Sequence, residues 1–140
     1  MLLKHLYIMS LEYPGSGCAV WFGGEELRDL RCYISGFLSG MSLGNLSTED
    51  DDAFFNWLKN NGYFPCDGWD RFIVDKTGDG ETAYLKFFEI LNKYLFEQQP
   101  SWLVTFNMEP QPSPLGERRS KDIRNVVHIE KLKQLNERRW

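Results

Sequence analysis

Residues Glu25-Glu-Leu-Arg-Asp-Leu-Arg-Cys-Tyr-Ile-Ser-Gly-Phe-Leu-Ser-Gly-Met41 decide how this chain folds. Apolar side chains fall at Leu27, Leu30, Ile34, Phe37, Leu38 and Met41, the spacing that gathers them on one side of an α-helix. Glu25 and Glu26 stand in the first turn, where negative charge complements the helix dipole. Gly36 and Gly40 lie four apart on one side and imply close packing against another helix. The charges of Arg28, Asp29 and Arg31 exclude a membrane dimerisation motif.

Working outward, the same period returns at Tyr84, Phe87, Phe88, Leu91 and Leu95, predicting a helix from about Gly80 to Gln98 that ends before Pro100. Between the two, Gly44-Asn45 breaks the chain. Ser47 or Thr48 is placed to cap a helix that runs to about Lys59 through Phe54, Phe55, Trp57 and Leu58, with Asp50 or Asp51 as the acidic partner three residues on. Asn60-Asn61-Gly62 stops it. Asp67 is placed to cap a shorter helix through Trp69, Phe72, Ile73 and Val74. Thr77-Gly78-Asp79-Gly80 reads as a turn whose Asp79 caps the helix that follows.

Three stretches carry weaker patterns. Residues 1–13 suit a helix or a strand. Cys18 to Phe22 suit a short extended segment closed by Gly23-Gly24. Ser101 to Asn107 alternate Trp102, Val104 and Phe106 as a strand would. The expected fold is therefore mainly α, with α+β as the alternative: about four core helices and minor extended segments near 18–22 and 101–107. One globular domain spans 1–109. Pro110, Pro112, Pro114 and Gly116 mark a linker over 110–116, and 117–140 form a C-terminal helical arm.

Composition supports a packed domain. The chain of 140 residues is 42% hydrophobic and 15% aromatic, which suffices for a single core. No apolar run approaches the roughly 20 residues of a membrane span. The apolar start is interrupted by Lys4 and lacks a clean small-residue cleavage site, so it reads as a structural element and not as a signal peptide. Cys18, Cys32 and Cys66 are odd in number and widely spaced, which favours free, packed thiols and a cytoplasmic location. Charge is divided. Residues 1–116 hold 8 Lys/Arg and 16 Asp/Glu, whereas 117–140 hold 8 Lys/Arg and 4 Asp/Glu. An acidic body of this kind repels nucleic acid and attracts basic partners.

Catalysis is not expected. His5 and His128 are far apart, and neither has a nucleophile signature beside it. Zinc spacings are missing. Asp75, Asp79 and Gly80 match the opening of a calcium loop, but Thr77 and Lys86 stand where oxygen ligands are needed. Phosphate-loop, dinucleotide and nucleophile-elbow patterns do not occur. No metal and no cofactor is expected. The run Glu49-Asp50-Asp51-Asp52 fans over the first turn of its helix, either as a solvated cap or as a negative patch for a basic partner. The basic arm, from Arg118 to Arg139, has Trp140 as its one base-stacking candidate. An arm lying on an acidic surface is the simpler reading, and a nucleic-acid-binding regulator is the alternative.

The Gly-rich turn near the start, the helix Glu25 to Gly40, Phe54-Phe-Asn-Trp-Leu58, Gly68-Trp-Asp70 and Glu81-Thr-Ala-Tyr-Leu-Lys-Phe-Phe-Glu-Ile-Leu91 form an ordered set. Over roughly residues 13–96 this set resembles small bacterial immunity proteins of polymorphic and contact-dependent growth inhibition toxin systems. The resemblance rests on core residues and turns, and it leaves out the C-terminal arm. It implies a chain that binds a cognate toxin domain, often a nuclease with a positive cleft, and blocks it without chemistry. No contact residue carries over from it. On physical grounds alone, the nominated partner-binding residues are Glu49, Asp50, Asp51, Asp52, Asp67, Trp69 and Asp70, with Trp69 either an anchor or a core residue. Neither nucleic acid nor membrane is expected as a partner.

Overall fold

The computed structural model describes residues 1–13 and 19–104, and these form seven helices with no strand among them. They are α1 (Leu2–Glu12), α2 (Ala19–Phe22), α3 (Leu27–Leu43), α4 (Glu49–Asn60), α5 (Trp69–Thr77), α6 (Glu81–Gln98) and α7 (Ser101–Val104). The mainly α expectation holds. Residues 105–140, with the linker and the basic arm, lie outside the described residues, as does Cys18.

The two extended segments are corrected. Ala19–Phe22 is a helical turn in which Ala19 and Phe22 are buried while Val20 and Trp21 face outward. Burial three residues apart is helical, not alternating. Ser101–Val104 is likewise a turn of helix, with the N–H groups of Leu103 and Val104 donating to the Pro100 carbonyl at 2.9 and 3.3 Å. Leu103 enters the core, and Trp102 packs beside Tyr7 at 6.3 Å between ring centroids. Residues 105–107 of that expected strand are not described.

α6 is the centre of the bundle. It buries Ala83, Tyr84, Phe87, Phe88, Ile90, Leu91, Asn92, Tyr94 and Leu95, which together occupy more than half of its circumference. α5 and α1 pack on it, α3 packs on α1, α2 and α5, and α4 packs on α1. α1 has Leu2, Leu3, Leu6, Tyr7 and Met9 buried, apolar on nearly every side. Such a helix carries no clear stripe, which is why its sequence suited a strand equally well. Aromatic rings make the seam between α4, α5 and α6. Phe54 meets Phe87 and Tyr94 edge-on at 6.2 and 5.1 Å, and Trp69 tilts over Phe87 at 4.9 Å.

α3 differs from expectation on its outer side. Gly36 and Gly40 are exposed, and no described atom lies within 4 Å of a Cβ placed on either. The helix buries Leu27, Leu30, Ile34 and Met41, and the glycines fall away from that stripe. α3 is capped locally, with Asp29 Oδ2 accepting the Glu26 N–H at 3.3 Å, and also from a distance. Asp79 Oδ1 accepts the N–H of Leu27 at 2.9 Å and of its neighbour Gly80 at 2.8 Å. Asp79 thus caps α3 across the bundle as well as closing its own turn.

His5 sits at the α1–α3 contact. Its Nε2 is 2.9 Å from the Tyr33 hydroxyl, and its ring stacks near those of Tyr33 and Phe37 at 6.0 and 5.9 Å. Burial holds its pKa below the usual 6.5. The unfolded chain therefore takes up this proton first as pH falls, so the stability His5 confers is present near neutrality and lost below about pH 6.5.

Phe54→Ala removes a fully buried ring and lowers the unfolding free energy by about 3–5 kcal/mol. Leu43→Ala, at a side chain 86% exposed, changes it by less than about 0.5 kcal/mol. Urea titrations of the two variants measure the difference. The same titrations at about pH 8 and about pH 5.5 show the wild-type chain losing stability in acid, and His5→Gln losing less of it.

Candidate interaction surface

The acidic turn of α4 divides into a buried root and an exposed crown. Asp51 is fully buried, with its Oδ1 accepting the Leu3 N–H at 3.0 Å and its Oδ2 the Leu2 N–H at 3.3 Å. The Met1 amino group lies 3.4 Å from both oxygens. The first N–H groups of a helix have no partner within it, and a buried helix end needs one from elsewhere. Asp51 is that partner, so it caps α1 from α4. It is corrected from a surface contact to an internal cap.

Glu49, Asp50 and Asp52 remain exposed on the same turn. Asp52 accepts the Thr48 hydroxyl at 2.8 Å, and Ser47 Oγ accepts the Glu49 N–H at 3.4 Å. Thr48 occupies the N-cap position but bonds to the Asp52 side chain in place of the backbone. Beneath this turn lies Tyr94. Its phenol is pushed above the ordinary range by burial, and further by the charges of Asp50 and Asp51. The crown thus stands near the Tyr94 ring, which meets Phe54 and Trp57 edge-on.

The other nominated residues separate. Trp69 is only 4% exposed and packs in the core against Phe87, which settles its two readings in favour of the core. Asp70 is buried and accepts Arg31 Nη1 at 3.0 Å, tying α5 to α3. Gly68, with φ of 99°, leaves room for this pair, because a Cβ there would stand 2.9 Å from Asp70 Oδ1. Gly68 is the N-cap of α5, and Asp67 stands exposed just before it without a side-chain cap bond. Of the seven nominated residues, Glu49, Asp50, Asp52 and Asp67 are therefore at the surface, and Asp67 lies beyond the far end of α4 in the chain.

Sequence reading missed other exposed features. Among the described residues, the exposed tryptophan is Trp21, at 45%, set against Tyr13 at 5.7 Å. The C-terminal end of α4 carries a half-buried row in which Trp57 stacks on Tyr63 and Tyr63 meets Phe72 edge-on. Lys59 and Lys76 lie over Phe64 and Phe72, each at 5.2 Å. Only the coincidence of aromatics with lysines hinted at this row. Cys32 and Cys66 are free thiols, but they are exposed and not packed as expected. Among the described residues, no three His, Cys, Asp or Glu side chains gather as a metal site would, and no helix is long and apolar enough to cross a membrane. Comparison with family models, curated proteins and solved structures gave no match.

The division between root and crown predicts opposite responses to substitution. Asp51→Ala leaves the buried α1 N–H groups without an acceptor and costs about 2 kcal/mol, whereas Asp50→Asn changes stability by less than about 0.5 kcal/mol. Thermal or urea unfolding of the two variants distinguishes anchor from surface.

Proposed function

We propose that this chain is an immunity protein that binds a cognate bacterial toxin domain in the cytoplasm and neutralises it without catalysing a reaction. The observation that carries the reading is the exposed carboxylate crown of Glu49, Asp50 and Asp52, rooted by the buried Asp51. It stands on a body whose sequence through residue 116 holds twice as many acids as bases. The resemblance of residues 13–96 to immunity proteins supplies the partner class. A toxin nuclease must present a positive surface to its phosphate substrate, and a fixed acidic crown competes for that surface. Charge complementarity of this kind raises the association rate and rejects wrong partners. Asp51 serves this surface from beneath by fixing α4 against the start of α1.

Co-expression with the toxin domains encoded by neighbouring genes tests the reading. One of them is expected to arrest growth alone, to be tolerated with this chain, and to form a one-to-one complex. The triple variant Glu49→Gln, Asp50→Asn, Asp52→Asn is expected to associate about 10–100 times more slowly at low salt, with a weaker salt dependence. Failure to bind or neutralise any such domain removes the proposal. An unchanged rate and salt dependence in the triple variant removes the crown as its contact surface.

A further inference from the structure

We propose that Asn61 is a modification site: its side-chain amide is converted to a carboxylate through attack by the Gly62 backbone nitrogen, and the clasp that ends α4 sets the rate. Among the chain's asparagines, Asn61 alone precedes a glycine. The backbone nitrogen that follows an asparagine is ordinarily shielded by its own residue's side chain, and glycine has none. Asn61 and Gly62 are both exposed, and a Cβ on Gly62 would meet no described atom within 4 Å. Water and base therefore reach the reacting atoms.

The step balances without an oxidant or a cofactor. The Gly62 nitrogen gives its proton to solvent base and bonds to Asn61 Cγ. The bond from Cγ to Nδ2 breaks, and ammonia leaves with a proton taken from water. The product is a cyclic imide. Water opens it at Cγ, which restores the peptide link and leaves an aspartyl side chain, or at the backbone carbonyl, which leaves an isoaspartyl link. Either way one water is consumed, one ammonia is released and one carboxylate is gained.

The folded chain holds the reacting atoms apart. Asn61 has a ψ of 9°. The Gly62 nitrogen then nearly eclipses Asn61's own nitrogen and stands well round the Cα–C bond from the side chain. Gly62, with φ of 78°, donates its N–H to the Lys59 carbonyl at 3.2 Å, and Tyr63 donates to the Leu58 carbonyl at 2.9 Å. A left-handed glycine with this pair of bonds is the Schellman ending of a helix. Trp57 stacks on Tyr63 across it at 5.7 Å, and Asn61 Nδ2 donates to the Trp57 carbonyl at 2.9 Å. Attack on Cγ needs this clasp to open. Opening at an exposed helix end costs far less than unfolding the bundle.

The product works against the clasp that restrained it. A carboxylate has no proton to donate to the Trp57 carbonyl, and its charge lies at the negative end of the α4 dipole. Conversion is one-way and leaves the last turn of α4 less firmly held. The crown is at the opposite end of α4, and the proposal stands whether or not the chain binds a toxin.

Peptide mapping of the full chain, kept in mildly alkaline buffer, is expected to find aspartate and isoaspartate accumulating at position 61 ahead of every other asparagine. The folded chain is expected to convert about 10–100 times more slowly than the urea-unfolded chain, because two backbone hydrogen bonds must break first. Below the unfolding transition that rate is expected to stay flat with urea. Tyr63→Ala removes the stack on Trp57 and is expected to raise the rate several-fold with unchanged circular dichroism. Asn61→Asp mimics one product and is expected to speed hydrogen exchange at the Gly62 and Tyr63 amides, but not at Leu27. Absence of conversion at position 61 in the folded chain overturns the proposal. So do equal rates in folded and unfolded chain, or a rate that climbs with urea from the outset as global unfolding would. A rate indifferent to Tyr63→Ala in folded protein, or exchange unchanged by Asn61→Asp, removes the clasp as the gate.

Discussion

Everything in this bundle leans on α6. A helix buried over more than half its circumference offers no stability until its neighbours arrive, and those neighbours have little reason to form without it. Phe87 joins Phe54 of α4 to Trp69 of α5. Tyr94 extends that seam toward the acidic turn, and Tyr84 reaches the segment before α3 through its hydroxyl, which donates to the Gly24 carbonyl at 3.0 Å. Aromatic pairs of this kind add roughly 0.5–1.5 kcal/mol each beyond burial, and their preferred angles also fix how the helices cross.

The acidic turn shows how one short run of like residues is given two uses. Asp51 faces the interior, where the amide hydrogens of α1 need an acceptor. Its neighbours in sequence point the other way, because consecutive positions on a helix differ by about 100°. A crown supported in this way does not move independently of the core. Rigid carriage of charge matters for recognition, since a pre-ordered surface gives up less conformational freedom when it is bound.

The sequence made α3 and α6 legible because their apolar positions repeat with a helical period and their surroundings are polar. α4 and α5 were recognisable from stop signals and aromatic content. α1 was not, because a helix apolar on nearly all sides has no direction. α2 and α7 are single turns, too short to show a period, and their apolar runs read as strands. Among site residues, Glu49, Asp50, Asp52 and Asp67 are exposed, as a run of acids at a helix start and in a loop leads one to expect. The fate of Asp51, Trp69 and Asp70 depends on partners far along the chain: Leu3 for the first, Phe87 for the second, Arg31 for the third. Local pattern carries no information about such pairings.

The carboxylate of Asp79 has a consequence for what a single amide of α3 reports. Helix ends ordinarily fray, and their first amides exchange with solvent without any wider opening. The Leu27 amide is held instead by a side chain 52 positions away in sequence. Its hydrogen is released only when the turn between α5 and α6 parts from the start of α3. Amide exchange at Leu27 therefore reports a separation of long-range elements and not the local fraying of one helix end.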